Sequence, residues 1–279
     1  MISKLKPGLY CVGTPIGNLE DISIRSIETL KNSDLILCED TRISKKLFDR
    51  YQINKNLISN HKFNEKKNLD KVIEILKQRK IISIISDAGT PGISDPGRIL
   101  INECIENDIN VYPVPGPSAV TSALSVSGFS DKYFFCGFLP EKKGEILKLF
   151  DRLAKTNFSI VFFISPKKIK RVFKQLELYF LDRNIVICRE ISKIHEEYIR
   201  SSVKNLQNIN FLPKGECTVV ISEGKEEKKL TVIEESVKKK IDNLISKMSV
   251  KNIVTKFNLE NGIPKKIIYN YCLSKKNEK

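Results

Sequence analysis

Short apolar runs alternate with segments of helical period along most of the chain. Leu9–Val12, Asp34–Cys38, Leu57–Ser59, Ile81–Ser86 and Asn110–Val114 read as strands bounded by turn residues. Between them, Ile22–Leu30, Ser44–Tyr51, Asn68–Lys80 and Gly97–Asn107 space their apolar residues near 3.6 and read as helices. Strands alternating with helices of about ten residues predict βαβ units and a mainly parallel sheet, hence an α/β fold.

The order then repeats. Tyr133–Phe138, Phe158–Ser165, Ile185–Glu190 and Cys217–Ser222 look like strands, with helices over Glu141–Ala154 and Pro166–Phe180. Val114-Pro-Gly-Pro-Ser118 punctuates the middle, and Pro117 can open a helix from Ser118 to about Val126. The expected organisation is an α/β domain over 1–116, a second over 117–224, and a basic helical extension over 225–279. In that extension Leu230–Met248 is a plausible amphipathic helix. Ser249 can cap another, which Asn261-Gly262 would end, and Pro264 can start a last one through Leu273. Two readings stay open: an appendage packing on the domains or on a second subunit, and a basic helix–turn–helix element that touches RNA.

Composition narrows the class. Of 279 residues, 41% are hydrophobic and 29% charged, which fits a globular protein and argues against disorder. Runs such as Ile81–Ile85 and Ile160–Ile164 fall far short of the roughly 18 residues of a membrane span, so no membrane partner is expected. Met1–Gly8 carries two Lys and no apolar stretch before Leu9, does not read as a secretory signal, and suggests a cytoplasmic location. Seven cysteines, none spaced C-x-x-C, and only two His argue against a zinc cluster or a disulfide framework. Cys11, Cys38 and Cys188 sit in apolar runs and read as small buried hydrophobes. The net charge is +15, of which residues 225–279 contribute +7. So basic a chain is drawn to polyanions, which favours a nucleic-acid partner or an acidic small substrate.

Ligands in open α/β sheets bind beyond the carboxyl ends of strands, and three loops there are unusual. Val12-Gly-Thr-Pro-Ile-Gly-Asn-Leu-Glu-Asp21 follows the first strand, with Gly13 and Gly17 free for tight turns or close approach of a ligand. Ser86-Asp-Ala-Gly-Thr-Pro-Gly-Ile-Ser-Asp-Pro-Gly97 is longer than a connection requires and offers small side chains and backbone groups to a ligand, although Asp95 before Pro96 also suits a capping role. Cys38-Glu-Asp-Thr-Arg42 puts two carboxylates and an Arg at a strand end. They position a substrate, or Asp40 or Thr41 caps the next helix while Arg42 pairs with Glu39.

With VGTPIGNLEDISIRS, DLILCEDTR, SDAGTPGISDPG, VPGPSA, GFLP and ICREISKIHEE in this order and spacing from Leu9 to Gly224, the chain resembles the ribosomal RNA small subunit methyltransferase I family, a branch of the tetrapyrrole methylase superfamily. The resemblance implies two α/β domains with S-adenosylmethionine in the cleft between them, and a homodimer. It also implies methylation of a ribose 2′-hydroxyl on a decoding-region cytidine of 16S rRNA, within the assembled small ribosomal subunit. Cofactor contacts carried over in this way fall on Pro15 or Ile16, on Asp87, Ala88, Gly89, Thr90 and Ile93, on Ser118 and Ala119, and on Phe163 and Ile164.

Two departures stand out. Where relatives show Y-E-S-P-H-R, this chain has Phe163-Ile-Ser-Pro-Lys-Lys168, without the Glu, His and Arg; its lysines keep charge but lose a planar fork. Where relatives carry H-x-H-N-E, it has His61-Lys-Phe-Asn-Glu65. A ribose hydroxyl is a poor nucleophile, so a proton acceptor helps. Asp40, Asp87 and Glu190 are candidates, each at an expected strand end, and Asp40 with Arg42 orienting the backbone is the preferred catalytic pair. Lys167, Lys168, Lys170 and Arg171 form a candidate phosphate-contacting cluster. The rival reading with the same fold and cofactor is a methylase of a tetrapyrrole carbon. It is disfavoured by the first loop, since such enzymes tend toward a G-x-G-P-G-D-x-x-L-L-T pattern that VGTPIGNLEDIS only partly keeps. A second rival, a ribosome-assembly factor without turnover, is disfavoured by the intact Ser86–Gly97 loop.

Overall fold

Five parallel strands form the first sheet. In the computed structural model, which describes residues 5–210, 212–224, 233–261 and 263–277, they are β1 (Gly8–Val12), β2 (Leu35–Cys38), β3 (Leu57–Ser59), β4 (Ile81–Ile84) and β5 (Val111–Val114). Their order is β3-β2-β4-β1-β5, with Leu9 of the central β1 opposite Ile82 on one side and Val111 on the other. Central strands covered on both faces read as continuous apolar runs, and β1, β2 and β4 do so. On one face, Leu30 of α1 (Ile24–Lys31) and Leu47 and Phe48 of α2 (Thr41–Tyr51) share a core with Tyr10, Val12 and Ile36. On the other, Val72 and Leu76 of α3 (Glu65–Lys77) and Leu100 of α4 (Arg98–Glu106) pack on Leu9, Leu37 and Ile82.

The second sheet departs from the expected repetition. After α5 (Ala119–Ser125) come β6 (Tyr133–Phe138), α6 (Lys143–Ala154), β7 (Ser159–Ile164), α7 (Pro166–Phe180), β8 (Asn184–Arg189), β9 (Glu197–Ser202) and β10 (Cys217–Ile221). They are ordered β6-β7-β10-β8-β9. Only β6 and β7 run parallel, while β10 is antiparallel to both β7 and β8, and β8 to β9. The cause is the connection between β8 and β9, too short for a crossover and long enough only for an antiparallel return. β9, Glu-Tyr-Ile-Arg-Ser-Ser, escapes a search for apolar runs because it is a polar edge strand. Pro166 opens α7 at its first turn, and Ile169, Val172, Phe173, Leu176 and Phe180 line its buried stripe against Phe150 and Phe162. Val120 and Ala123 of α5 pack on the other face with Val161, Val186 and Val220.

Residues up to Gly224 form one compact unit and those from Lys225 a second. The second unit holds α8 (Glu235–Leu244), α9 (Val250–Asn261) and α10 (Lys265–Asn277) around its own core of Val237, Ile241, Ile253, Phe257, Ile268 and Cys272. The first of these helices is shorter than the expected Leu230–Met248, of which residues 230–232 lie outside the described residues, as does Gly262. The Ser249 hydroxyl accepts the Asn252 amide at 3.3 Å, the expected cap. Among the described residues no helix is long and apolar enough to cross a membrane.

Candidate active site

The loops after β1, β4 and β5 are bound to one another at the carboxyl edge of the first sheet. The Thr14 amide donates to the Gly89 carbonyl at 2.9 Å, and the Gly89 amide returns a bond to the Thr14 carbonyl at 3.1 Å. The Thr14 hydroxyl, buried, lies 3.1 Å from the Ser86 carbonyl. Gly13 meets Gly116 backbone to backbone, so closely that a Cβ on Gly13 would lie 2.7 Å from the Gly116 Cα. Glycine at both positions is thus a packing requirement. Gly89 has φ +85°, a conformation few L side chains adopt.

The second sheet supplies the opposite wall. At the end of β8 the Glu190 carboxylate accepts the Glu216 amide at 2.8 Å and pairs with Lys193 at 3.0 Å. Lys193 also reaches Glu216 at 2.9 Å. The Ser192 hydroxyl meets Asp21 and accepts the Asn18 amide at 3.3 Å, which fastens this segment to the first loop.

Between the walls lies a cleft of about 470 Å³. Its lining brings together Ile16, Asp87, Ala88, Gly89, Thr90 and Ile93 from the first sheet's loops, Ser118 and Ala119 from the head of α5, and Phe163 and Ile164 from β7. Pro15 does not line it. Asp95, Ser165, Glu190, Gly215 and Thr218 do, without having been assigned cofactor contacts by the sequence. Asp95 does not cap α4, for Gly97 holds that position.

Carboxylates gather on the first wall. Burial pushes the Asp95 carboxyl up to about 6, the charges of Glu39 and Asp87 add to this, and a bond to Ser86 opposes it. Burial likewise raises Glu39 and Asp87 above the ordinary range, each with help from a neighbouring carboxylate. Glu190 behaves oppositely. Burial works to raise it, but Lys193 and the Glu216 amide hold it below its ordinary value. The thiol of Cys188, also in the lining, is pushed up to about 12 by burial and stays protonated.

Asp40 and Arg42 stand outside this lining. Asp40 caps α2, accepting the Arg42 amide at 2.8 Å, and its carboxylate pairs with the Arg42 guanidinium at 2.6 Å. Arg42 therefore pairs with Asp40 and not with Glu39. Its hydrogen bonds hold the Asp40 carboxyl down at about 2. The pair touches the cleft through one bond, from the Asp40 amide to the Asp87 carboxylate at 3.0 Å. His61 accepts the Phe63 amide on Nδ1 at 3.2 Å, in the turn before α3. Lys167 and Lys168 are exposed at the head of α7, and Lys168 pairs with Glu141 at 2.6 Å.

Residues 8–207 match the family of tetrapyrrole (corrin/porphyrin) methylases. A ribosomal RNA small subunit methyltransferase I from Mesomycoplasma conjunctivae is 47% identical over 212 residues, covering 75% of this chain and 89% of that protein. One from Thermotoga maritima is 46% identical over 223 residues, 78% of this chain and 99% of its own. One from Bacillus subtilis is 36% identical over 273 residues, 94% and 92% of the two chains. Among solved structures, a diphthine synthase superposes with TM-score 0.60 at 14% identity, over 77% of this chain and 89% of its own. A uroporphyrin-III-C-methyltransferase from Thermus thermophilus does so with TM-score 0.54 at 13% identity, over 77% and 94%. These two share the fold. The sequence relatives share far more, over nearly their whole length, and the chain belongs to the tetrapyrrole methylase family, in its ribosomal RNA small subunit methyltransferase I branch.

Proposed function

We propose that the protein is an S-adenosylmethionine-dependent methyltransferase that methylates the 2′-hydroxyl of a decoding-region cytidine in 16S rRNA of the small ribosomal subunit. The observation behind this reading is the convergence of the Ser86–Gly97 loop, the head of α5 and the end of β7 on one cleft, in a chain so similar to small-subunit methyltransferases.

The residues present fit the cofactor. Ala88, Gly89, Ser118 and Ala119 leave room for a flat base and an unbranched chain, and Ile16, Val120 and Phe163 offer apolar walls. The carboxylates of Asp87 and Glu190 suit a ligand that carries an ammonium and a sulfonium. When bound, S-adenosylmethionine supplies a methyl group on a good leaving group.

What remains for the protein is positioning and one proton. The clasp between Thr14 and Gly89 fixes the first loop against the second, so that the cleft holds its shape before a ligand arrives. Asp95 is the cleft carboxylate suited to take the hydroxyl proton. With its carboxyl near 6 it is ionised at neutral pH, yet more basic than an ordinary Asp. Glu190 is engaged by Lys193 and the Glu216 amide, and serves as a strut. Asp40 and Arg42 act from behind, holding Asp87 through the Asp40 amide.

Incubation with methyl-labelled cofactor and either small ribosomal subunits or a uroporphyrinogen tests the substrate class. Label in the RNA supports the proposal; label only in the tetrapyrrole overturns it.

A further inference from the structure

Phe138, the last residue of β6, lines the mouth of the cleft, yet 65% of it is exposed. Its inner edge is fixed. The ring packs on Phe163 with centroids 5.2 Å apart at 60°, and Phe163 is braced in turn by Phe135 at 5.0 Å. Among the described residues Phe163 is the one ring it packs on, and the strand is irregular just before it. The pairing of β6 with β7 slips between Phe135 and Phe138, and Gly137 takes φ +70°. Bulges of this kind re-aim a side chain beside a site.

Ile93 is 54% exposed and also lines the cleft. It precedes Ser94, whose φ is +66°, and a Cβ on Gly137 would come within 3.2 Å of the Ser94 hydroxyl. The bulge and the long loop therefore abut, and Ile93 and Phe138 form one apolar rim. Around it lie exposed lysines. Lys142, which pairs with Glu145 at 3.7 Å, and Lys143 follow Phe138 closely in the chain, Lys167 lies in the first turn of α7, and the Lys168–Glu141 pair joins the two segments. An aromatic face flanked by cations, at the entrance of a cleft whose inner wall is acidic, matches an unstacked nucleobase whose phosphates stay outside.

We infer that Phe138 and Ile93 are the platform for the base of the nucleotide being methylated, a splayed-out pyrimidine that stacks on Phe138 while its ribose enters the cleft. This rests on the RNA reading of the site above. It assigns to the GFLP segment the task of selecting and orienting the nucleotide, apart from cofactor binding.

The chain contains no Trp, so Phe138→Trp introduces a single tryptophan at the platform, which can be excited at wavelengths where tyrosine does not absorb. With S-adenosylhomocysteine present, cytidine 5′-monophosphate should quench it saturably, while ribose 5-phosphate should not. In methyl transfer to small subunits, Phe138→Leu should raise KM about tenfold or more, as loss of base–aromatic stacking does. Its cofactor affinity should stay within about twofold of wild type, and Phe138→Tyr should restore KM, since stacking needs a ring. An unchanged KM for Phe138→Leu, or a loss matched by equal loss of cofactor affinity, overturns the inference; the second result would make Phe138 a prop for Phe163. Quenching by a uroporphyrinogen and not by the nucleotide overturns it as well. If the wild-type protein transfers no methyl to subunits, the RNA reading fails by itself, and the fluorescence titration still decides whether the platform takes a nucleobase.

Discussion

The carboxylate of Glu65 accepts the backbone amide of Gly97, 32 residues further along the chain, at 3.0 Å and so caps the helix that Gly97 opens. The same oxygen lies 3.4 Å from the Leu100 amide, and the side chain is buried at 5% exposure. Gly97 closes the loop that forms one wall of the cleft. Glu65 thus ties the head of α3 to the end of the Ser86–Gly97 loop, satisfying amides that α4 leaves open at its start.

Glu65→Ala should lower stability by about 1–2 kcal/mol, the usual size of a lost helix cap, and should weaken cofactor binding by loosening the loop. Glu65→Gln keeps an acceptor oxygen and should lose less of both. Urea denaturation with cofactor titration on the same samples measures this. Equal behaviour of wild type and Glu65→Ala would remove the anchor from the account of the cleft.

Gly89→Val places a β-branched side chain at φ +85°, where such residues are strained by about 1–3 kcal/mol. The nearest contacts of an added Cβ, Ile16 at 3.5 Å and the Pro117 carbonyl at 3.8 Å, leave room for the atom itself, so the protein should stay folded. Cofactor binding should be abolished, because the loop must shift and the new methyls enter the cleft. Calorimetric titration beside a circular dichroism spectrum checks both halves; normal binding counts against the pocket assignment.

Asp95 should give activity an acid limb. Below pH about 6 the carboxyl is protonated and can no longer take a proton, so the rate of the methyl-transfer step should fall as pH drops through that value. Asp95→Asn should cut turnover about a hundredfold or more, remove the limb, and leave cofactor affinity near wild type. Stability should move the other way. The folded-state carboxyl lies above its ordinary value, so its contribution is present at low pH and is lost as pH rises through about 6; Asp95→Asn should therefore stabilise the protein above that pH. A variant with wild-type turnover and an unchanged pH profile would exclude Asp95 as the proton acceptor.

Asp40→Asn offers a contrast. Asn caps helices as well as Asp does, so α2 should persist, and the backbone amide that holds Asp87 is untouched. Turnover should fall by less than in Asp95→Asn, with cofactor affinity preserved. A loss at Asp40 as large as that at Asp95 would move the proton to the Asp40–Arg42 pair.

Much of this site is legible in the sequence, for local reasons. The loops after β1 and β4 announce themselves because backbone conformations such as that of Gly89 require glycine, and the helix over Pro166–Phe180 because a Pro start and an apolar stripe coincide. What stays hidden depends on distant partners. Glu65 looks like one more charge in a polar helix start, and only the fold brings it to Gly97. Asp95 reads as a cap because the sequence does not reveal Glu39 and Asp87 beside it, nor the burial that raises its carboxyl. β9 and the mixed second sheet escape because a polar edge strand has no apolar run, and Glu190 gains the Glu216 amide only because β10 pairs with β8. Phe138 reads only as the end of a strand and part of the GFLP segment, and the slip before it and its place in the cleft lining show only in the fold.

The most direct measurement is mass-spectrometric mapping of ribose methylation on 16S rRNA from cells with and without this protein. The expected result is a 2′-O-methylcytidine in the decoding region that is present with the protein and missing without it. Identical methylation maps from the two would contradict the proposed activity.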